Sequence, residues 1–141
     1  MKIVDANVLL YAVNSDVPQH RAAREWLDKA LSGEETVGFS WIVLLAFLRI
    51  STHPGIFPRP LSQDTAFDTV EAWLNQPGAV LVEPTTRHAG VLRGLLGKAG
   101  TAGNLVNDAH LAATAAQHGA EVVSFDADFT RFDGVRVHKL G

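Results

Sequence analysis

Five short runs rich in β-branched residues punctuate the chain: KIVD (2–5), TVGFS (36–40), AVLVE (79–83), EVVSFD (121–126) and VRVHKL (135–140). Between most of them lie stretches whose apolar residues recur at helical spacing, as Ala22, Ala23, Trp26, Leu27 and Ala30 do between Pro18 and Leu31. Strands that alternate with helices form a parallel sheet covered on both faces, because each strand must be carried back to the same end before the next one starts. The expectation is an α/β chain, a three-layer α/β/α sandwich around a mostly parallel central sheet of about five strands. In such sheets ligands bind beyond the carboxyl ends of the strands, where the strand order reverses. Polar residues at those ends are therefore the first place to look for chemistry.

The intervening helices are placed by their punctuation. NVLLYAV starts a helix with Asn7 as its cap. WIVLLAFLRI (41–50) is apolar on nearly all sides, and its length favours a buried helix over a strand. HPGIFPRP reads as a loop, and helices follow over about Ser62 to Gln76, Thr86 to Lys98 and Asn104 to His118, with GTAG as the turn between the last two. DFTRF is a short helical turn before the final strand.

No repeat, low-complexity tract or linker divides the 141 residues, so residues 1–141 read as a single domain. Hydrophobic residues make up 47% and charged residues 19%, a composition that folds rather than staying disordered. Cysteine is absent, which excludes disulfides and thiolate zinc sites and suits a reducing compartment. No run approaches the ~20 apolar residues of a membrane span, and the N-terminus enters a strand-like pattern without a signal sequence. A cytoplasmic protein with no membrane contact is expected. The net charge of −3 means that any contact with nucleic acid must use a local basic face. The six histidines are scattered, with no pair one helical turn apart that would suggest a metal site.

The carboxylates are placed differently. Asp5 closes the first strand run and Asp126 the fourth, with Asp128 two residues on. Asp108 lies one turn into the helix after GTAG, four residues from Asn104, so both side chains share a face. Each acid alone has a local explanation: Asp5 as a helix cap, Asp108 as a first-turn acid favoured by the helix dipole, Asp126 and Asp128 as turn formers. Together they converge on one sheet edge, where like charges raise each other's pKa unless a cation offsets them. Oxygen-only ligands select Mg²⁺ or Mn²⁺ over zinc, and a hard divalent ion suits phosphoryl chemistry.

Four stretches, IVDANVLLYA, WIVLLAFLRIST, GNLVNDAHLAA and SFDADF, together with PLS and the final strand, resemble the PIN-domain ribonucleases, specifically the VapC toxins of type II toxin–antitoxin pairs. The resemblance runs over essentially the whole chain. It implies a Mg²⁺-dependent endoribonuclease that cleaves RNA, forms a homodimer, and is neutralised by a cognate antitoxin lying across an apolar groove. It also implies roles residue by residue. Asp5, Asp108 and Asp126 match the catalytic acids, with Asp5 and Asp108 the principal metal ligands. Ser124 matches a hydroxyl position beside Asp126, and Asp128 the second acid of the D-x-D-F motif. Asn7 and Asn104 are expected to support the acids, and Arg49 to contact a phosphate.

One departure stands out. Many members of the resembled family carry a glutamate in the helix WIVLLAFLRI, and the aligned position here is Ala46. Residues 41–48 contain no acid, and Glu34 and Glu35 precede the second strand, at the wrong end of the sheet by roughly 16 Å for five residues at ~3.3 Å each. Glu83 ends the third strand on the right edge, where an exposed strand end accounts for it. A second reading therefore keeps the fold and drops the chemistry: an inactive module that binds RNA or antitoxin without cutting. A third, a phosphatase of the haloacid dehalogenase type, would need an acid at Asn7 and a glycine at Val8. Arg87, His88, Arg93 and Lys98 on one helix, and Arg21, Arg24 and Lys29 on another, read as solvated faces. Trp26, Trp41 and Trp73 read as core.

Overall fold

The computed structural model describes residues 1–100 and 103–141, with every side chain among them except that of Asn104. Five strands form one sheet, β1 (Lys2–Val4), β2 (Val37–Phe39), β3 (Ala79–Leu81), β4 (Glu121–Ser124) and β5 (Val137–Lys139), in the order β3-β2-β1-β4-β5. All four pairings are parallel. The expected α/β architecture is the one observed. Among the described residues six α-helices connect the strands: α1 (Ala6–Ala12), α2 (His20–Lys29), α3 (Trp41–Ser51), α4 (Gln63–Leu74), α5 (His88–Ala99) and α6 (Val106–Gln117). No helix among the described residues is long and apolar enough to cross a membrane.

The strand order fixes the layers. The chain runs outward from β1 through β2 to β3, then returns past both to lay β4 on the other side of β1. Right-handed crossovers in opposite directions put their helices on opposite faces. The contacts agree, since α1 packs on α2 and α3, and α3 on α4, while α5 pairs with α6 and α6 with β1 and β4. The reversal of direction lies between β1 and β4, whose carboxyl ends are occupied by Asp5 and, two residues past Ser124, Asp126.

Ile3, Val4, Val37, Phe39, Val122 and Val123 are fully buried, as a sheet covered on both faces requires. Phe39 and Phe47 meet Trp73 with ring centroids 6.5 and 4.9 Å apart, tying β2, α3 and α4 into one cluster.

Several boundaries differ from the sequence expectation. The second helix starts at His20, two residues after Pro18, and it runs into a five-residue π-type turn, Ala30–Glu34, where Gly33 takes φ 113°. α6 begins at Val106, after a 3₁₀ turn over Gly103–Leu105. The cap of α1 is Asp5 and not Asn7: the Asp5 carboxylate accepts from the Ala6 amide, because Asp5 keeps extended backbone while Asn7 is already helical. Residues 101 and 102, within the GTAG turn, and the side chain of Asn104 lie outside the described residues.

Two glycines separate tight packing from weak helix. A Cβ at Gly78 would stand 2.6 Å from the Glu35 carbonyl and 2.9 Å from that of Ala30, whereas at Gly94, inside α5, it would meet nothing within 4 Å. Gly94→Ala is expected to stabilise the protein by about 0.5–1 kcal/mol through helix propensity. Gly78→Ala is expected to destabilise it by roughly 1–3 kcal/mol, since backbone must move. Urea unfolding of the two variants, with opposite shifts in midpoint, checks both.

Candidate functional site

The site begins where β1 stops. The Asp5 amide donates to the Val123 carbonyl (2.9 Å), so β4 still holds its backbone as the chain turns into α1. One carboxylate oxygen accepts from the Ala6 amide (2.7 Å), and the other accepts from Ser124 Oγ (2.7 Å). Ser124 is fully buried, and its oxygen also accepts from Asn7 Nδ2 (3.1 Å) and the Asp126 amide (2.9 Å). Asn7 Oδ1 in turn accepts from the Phe125 amide (3.2 Å). Asn7 and Ser124 thus form a polar bracket across the ends of β1 and β4. They orient Asp5 and fix the turn that delivers Asp126.

Asp126 accepts from the Asp128 amide (2.8 Å) and caps the short 3₁₀ turn Ala127–Arg131. Asp128 lies 4.0 Å from Arg131 Nε. Asp108 enters from the first turn of α6. Arg49 is exposed in the last turn of α3 and does not line the cavity at Asp5 and Asp108.

Electrostatics binds the four acids into one group. The Asp108 carboxyl is pushed up to about 6, first by burial and then by repulsion from Asp5, Asp126 and Asp128. Asp5 is also raised, chiefly by burial and less by Asp126, against the lowering effect of the Ser124 and Ala6 hydrogen bonds. Each helix or strand end has delivered a charge that its neighbours oppose.

A cavity of about 120 Å³ opens between them, with Asp5 and Asp108 on one side and Ile42, Val43, Ala46 and Leu111 on the other. Ala46 does face the acids, and α3 contributes only aliphatic surface there. Glu35, at the opposite end of the sheet, is paired with Lys2 (2.8 Å). Among the described residues no three of His, Cys, Asp and Glu converge as a ready ligand shell. The donors still suit Mg²⁺, which is held by one or two carboxylates and keeps several waters, and whose charge would relieve the repulsion at Asp108. Asp5 and Asp108 are the two carboxylates placed to do so.

Two features escaped the sequence. Trp41 does not belong to the core; it is 45% exposed, at the first position of α3. The scattered histidines are partly assembled: His88 Nε2 and His110 Nδ1 lie 2.9 Å apart across the α5–α6 contact. His110 is lowered by burial and by His88. A separation of 22 residues on two antiparallel helices leaves no spacing signal.

The sequence pattern of the PIN domain matches residues 2–135. The chain is 58% identical over 136 residues to Ribonuclease VapC37 of Mycobacterium tuberculosis, covering 96% of this chain and 94% of that protein. It is 41% identical over 132 residues to Ribonuclease VapC33 of the same species, covering 94% and 92%. Among solved structures, VapBC2 from Rickettsia felis, bound to a DNA fragment from the promoter, superposes with a TM-score of 0.73 at 17% identity, covering 99% and 98%. VapC20 of Mycobacterium tuberculosis, described as a sarcin–ricin loop cleaving toxin, superposes with a TM-score of 0.67 at 17% identity, covering 96% and 99%. These structures share the fold.

The raised carboxyl has a consequence for stability. Asp108 holds its proton more tightly folded, near 6, than at its ordinary value of 3.8, so it stabilises the metal-free protein below about pH 4 and that contribution is lost as pH rises through 6. Asp108→Asn should flatten this dependence and, at pH 7 in EDTA, stabilise the protein by about 1 kcal/mol, discounted from the full shift because the group is half exposed. Thermal unfolding of both proteins from pH 4 to 7 checks it; a variant less stable at pH 7 would contradict it.

Proposed function

We propose that this chain, which belongs to the PIN-domain family and within it to the VapC group, is a divalent-metal-dependent endoribonuclease and the toxin of a type II toxin–antitoxin pair. The observation that carries the reading is the Asp108 carboxyl, pushed up to about 6 by burial and three further acids at the sheet edge where strand order reverses. A cluster that opposes its own ionisation is a poor way to stabilise a fold and a good way to bind a cation with an anionic substrate.

Asp5 and Asp108 are the residues that would hold Mg²⁺ or Mn²⁺. When bound, the ion would neutralise charge on the scissile phosphate and on the oxygen that leaves. Ser124 and Asn7 keep the Asp5 carboxylate in one orientation, and Asp126 completes the negative wall against which a water is aligned for in-line attack. The apolar surface of Ile42, Val43 and Leu111 limits water on the far side of the cavity, which strengthens every charge interaction within it.

The partner is proposed from the company of the fold. Structures that superpose on this chain include VapBC and FitAB assemblies, and a cognate antitoxin that silences the site is the corresponding partner here. A homodimer is proposed from the family resemblance alone. The alternative of a binding module that does not cut draws on one observation, the alanine that faces the acids from α3.

Purified protein free of antitoxin should cut total cellular RNA into discrete fragments with Mg²⁺ or Mn²⁺ and not in EDTA, and Asp108→Asn should lower the rate by at least about 100-fold. Folded wild-type protein that leaves RNA intact in both metals would favour the binding module. Ala46→Glu should tighten Mn²⁺ binding by roughly tenfold, on the order of 1.4 kcal/mol, when followed by calorimetry. An unchanged affinity would mean that the alanine wall does not reach the ion.

A further inference from the structure

Ile42 lines the acidic cavity. That residue also lines a second cavity of about 250 Å³ on the same edge of the sheet, beyond the carboxyl ends of β2 and β3. Ser40 and Trp41 contribute from the β2–α3 junction, Glu83 and Pro84 from the segment after β3, and His110 from α6.

Ser40 is 3% exposed and precedes α3 as its cap residue, yet its hydroxyl makes no bond to the amides of that helix. That leaves the hydroxyl free to donate to, or accept from, a ligand in the cavity it lines. Trp41, the next residue, is 45% exposed at the same cavity. An indole held open beside a groove is a stacking platform of the kind single-stranded nucleic acid uses.

His110 brings a donor whose direction is fixed by a chain of bonds. The Thr85 amide donates to Gln117 Oε1 (2.9 Å), which settles the orientation of that side-chain amide. Gln117 Nε2 then donates to His88 Nδ1 (2.6 Å), so His88 carries its hydrogen on Nε2 and donates to His110 Nδ1 (2.9 Å). His110 is left with its hydrogen on Nε2. At the rim, His118 Nε2 donates to the Glu83 carbonyl (2.7 Å) and anchors the segment that carries the Glu83 carboxylate.

We propose that this second cavity binds one unpaired nucleobase, guanine in preference to the other three, next to the phosphate held by the acidic site. That the base comes from RNA rests on the ribonuclease reading. Stacking on Trp41 serves any base, and the polar groups choose among them. Guanine presents N1–H and N2–H side by side, the pair of donors one carboxylate accepts, and its O6 accepts from Ser40 or His110. Adenine and cytosine would turn a ring-nitrogen lone pair towards Glu83, and uracil would turn carbonyls on both sides of its single N–H. The same carboxylate repels phosphate, so the cavity suits the base and leaves the backbone to the acidic site.

Mononucleotides test the cavity without any bond to cleave. Wild-type tryptophan fluorescence should be quenched saturably by GMP, at least tenfold more tightly than by AMP, CMP or UMP. Trp41→Phe should abolish the response, since Trp26 and Trp73 lie elsewhere. Glu83→Gln should reduce the preference for guanine about tenfold, and Ser40→Ala should weaken GMP severalfold, with thermal midpoints confirming that the exposed-site variants Trp41→Phe and Glu83→Gln remain folded. Absence of quenching at millimolar GMP, quenching that persists in Trp41→Phe, or equal response to all four nucleotides overturns the proposal. RNA cut normally by protein that ignores GMP would sink this inference and leave the nuclease standing. GMP binding by protein that cuts no RNA would do the reverse.

Discussion

β1 and β4 are neighbours in the sheet although the polar residues that bridge their ends, Asn7 and Ser124, are 117 positions apart in the chain. Their pairing is non-local, and closing so long a loop costs chain entropy before the contacts repay it. Everything at the site depends on it. Without β4 beside β1, Asp5 would lose Ser124 as donor, Asp126 would be carried elsewhere, and α6 would have no edge over which to present Asp108. The bracket of Asn7, Ser124 and two backbone amides makes that register unambiguous, because each polar group finds its partner only when Val4 lies opposite Val123.

The polar bracket and the acids act in opposite senses. Hydrogen bonds to Asp5 lower its pKa, while burial and its neighbours raise it, and burial prevails. At Asp108 burial and all three charge interactions act in the raising direction. The fold thus tolerates an edge that destabilises it, and the tolerance comes from the core beneath. Ile3, Val4, Val122 and Val123 are completely enclosed, so the strand ends stay in place without help from the residues that cap them. The other end of the sheet shows the contrast: there Lys2 is matched to Glu35 at 2.8 Å, an arrangement that stabilises and has no spare charge to offer a ligand.

The sequence made the layers and the acids legible for one reason. Period-2 and period-3.6 patterns record which faces are buried, and a carboxylate at the end of a buried strand has few alternatives to the site edge. Asp5, Asp126 and Asn7 were readable on that basis. What was hidden depends on how elements meet. The assignment of the cap to Asn7 failed because helix propensity does not say which of two capping residues, two positions apart, keeps extended backbone. Trp41 looked like core because an almost wholly apolar helix gives no weak face by which to orient it; only the packing of α3 against α1 and α4 decides that Trp41 stays exposed. The His88–His110 contact rests on the antiparallel packing of α5 and α6, and the open hydroxyl of Ser40 on the absence of a bond that its type would ordinarily make.

These hidden residues share a location. Ser40 follows β2, and Glu83 lies just past β3, as Asp5 follows β1 and Asp126 lies just past β4. The carboxyl edge is therefore divided along its length: anionic at the reversal of strand order, aromatic and hydrogen-bonding over the outer strands, with Ile42 between the two cavities. A chain of net charge −3 has little general attraction for a polyanion. On the proposed reading, affinity would come from local contacts: a cation at the acids for the phosphate and the pocket beside Trp41 for a base. Such a division also explains why α3 can carry Ala46 where it faces the acids. The helix lines both cavities at once, with Ile42 common to the two and Ala46 lining the acidic one.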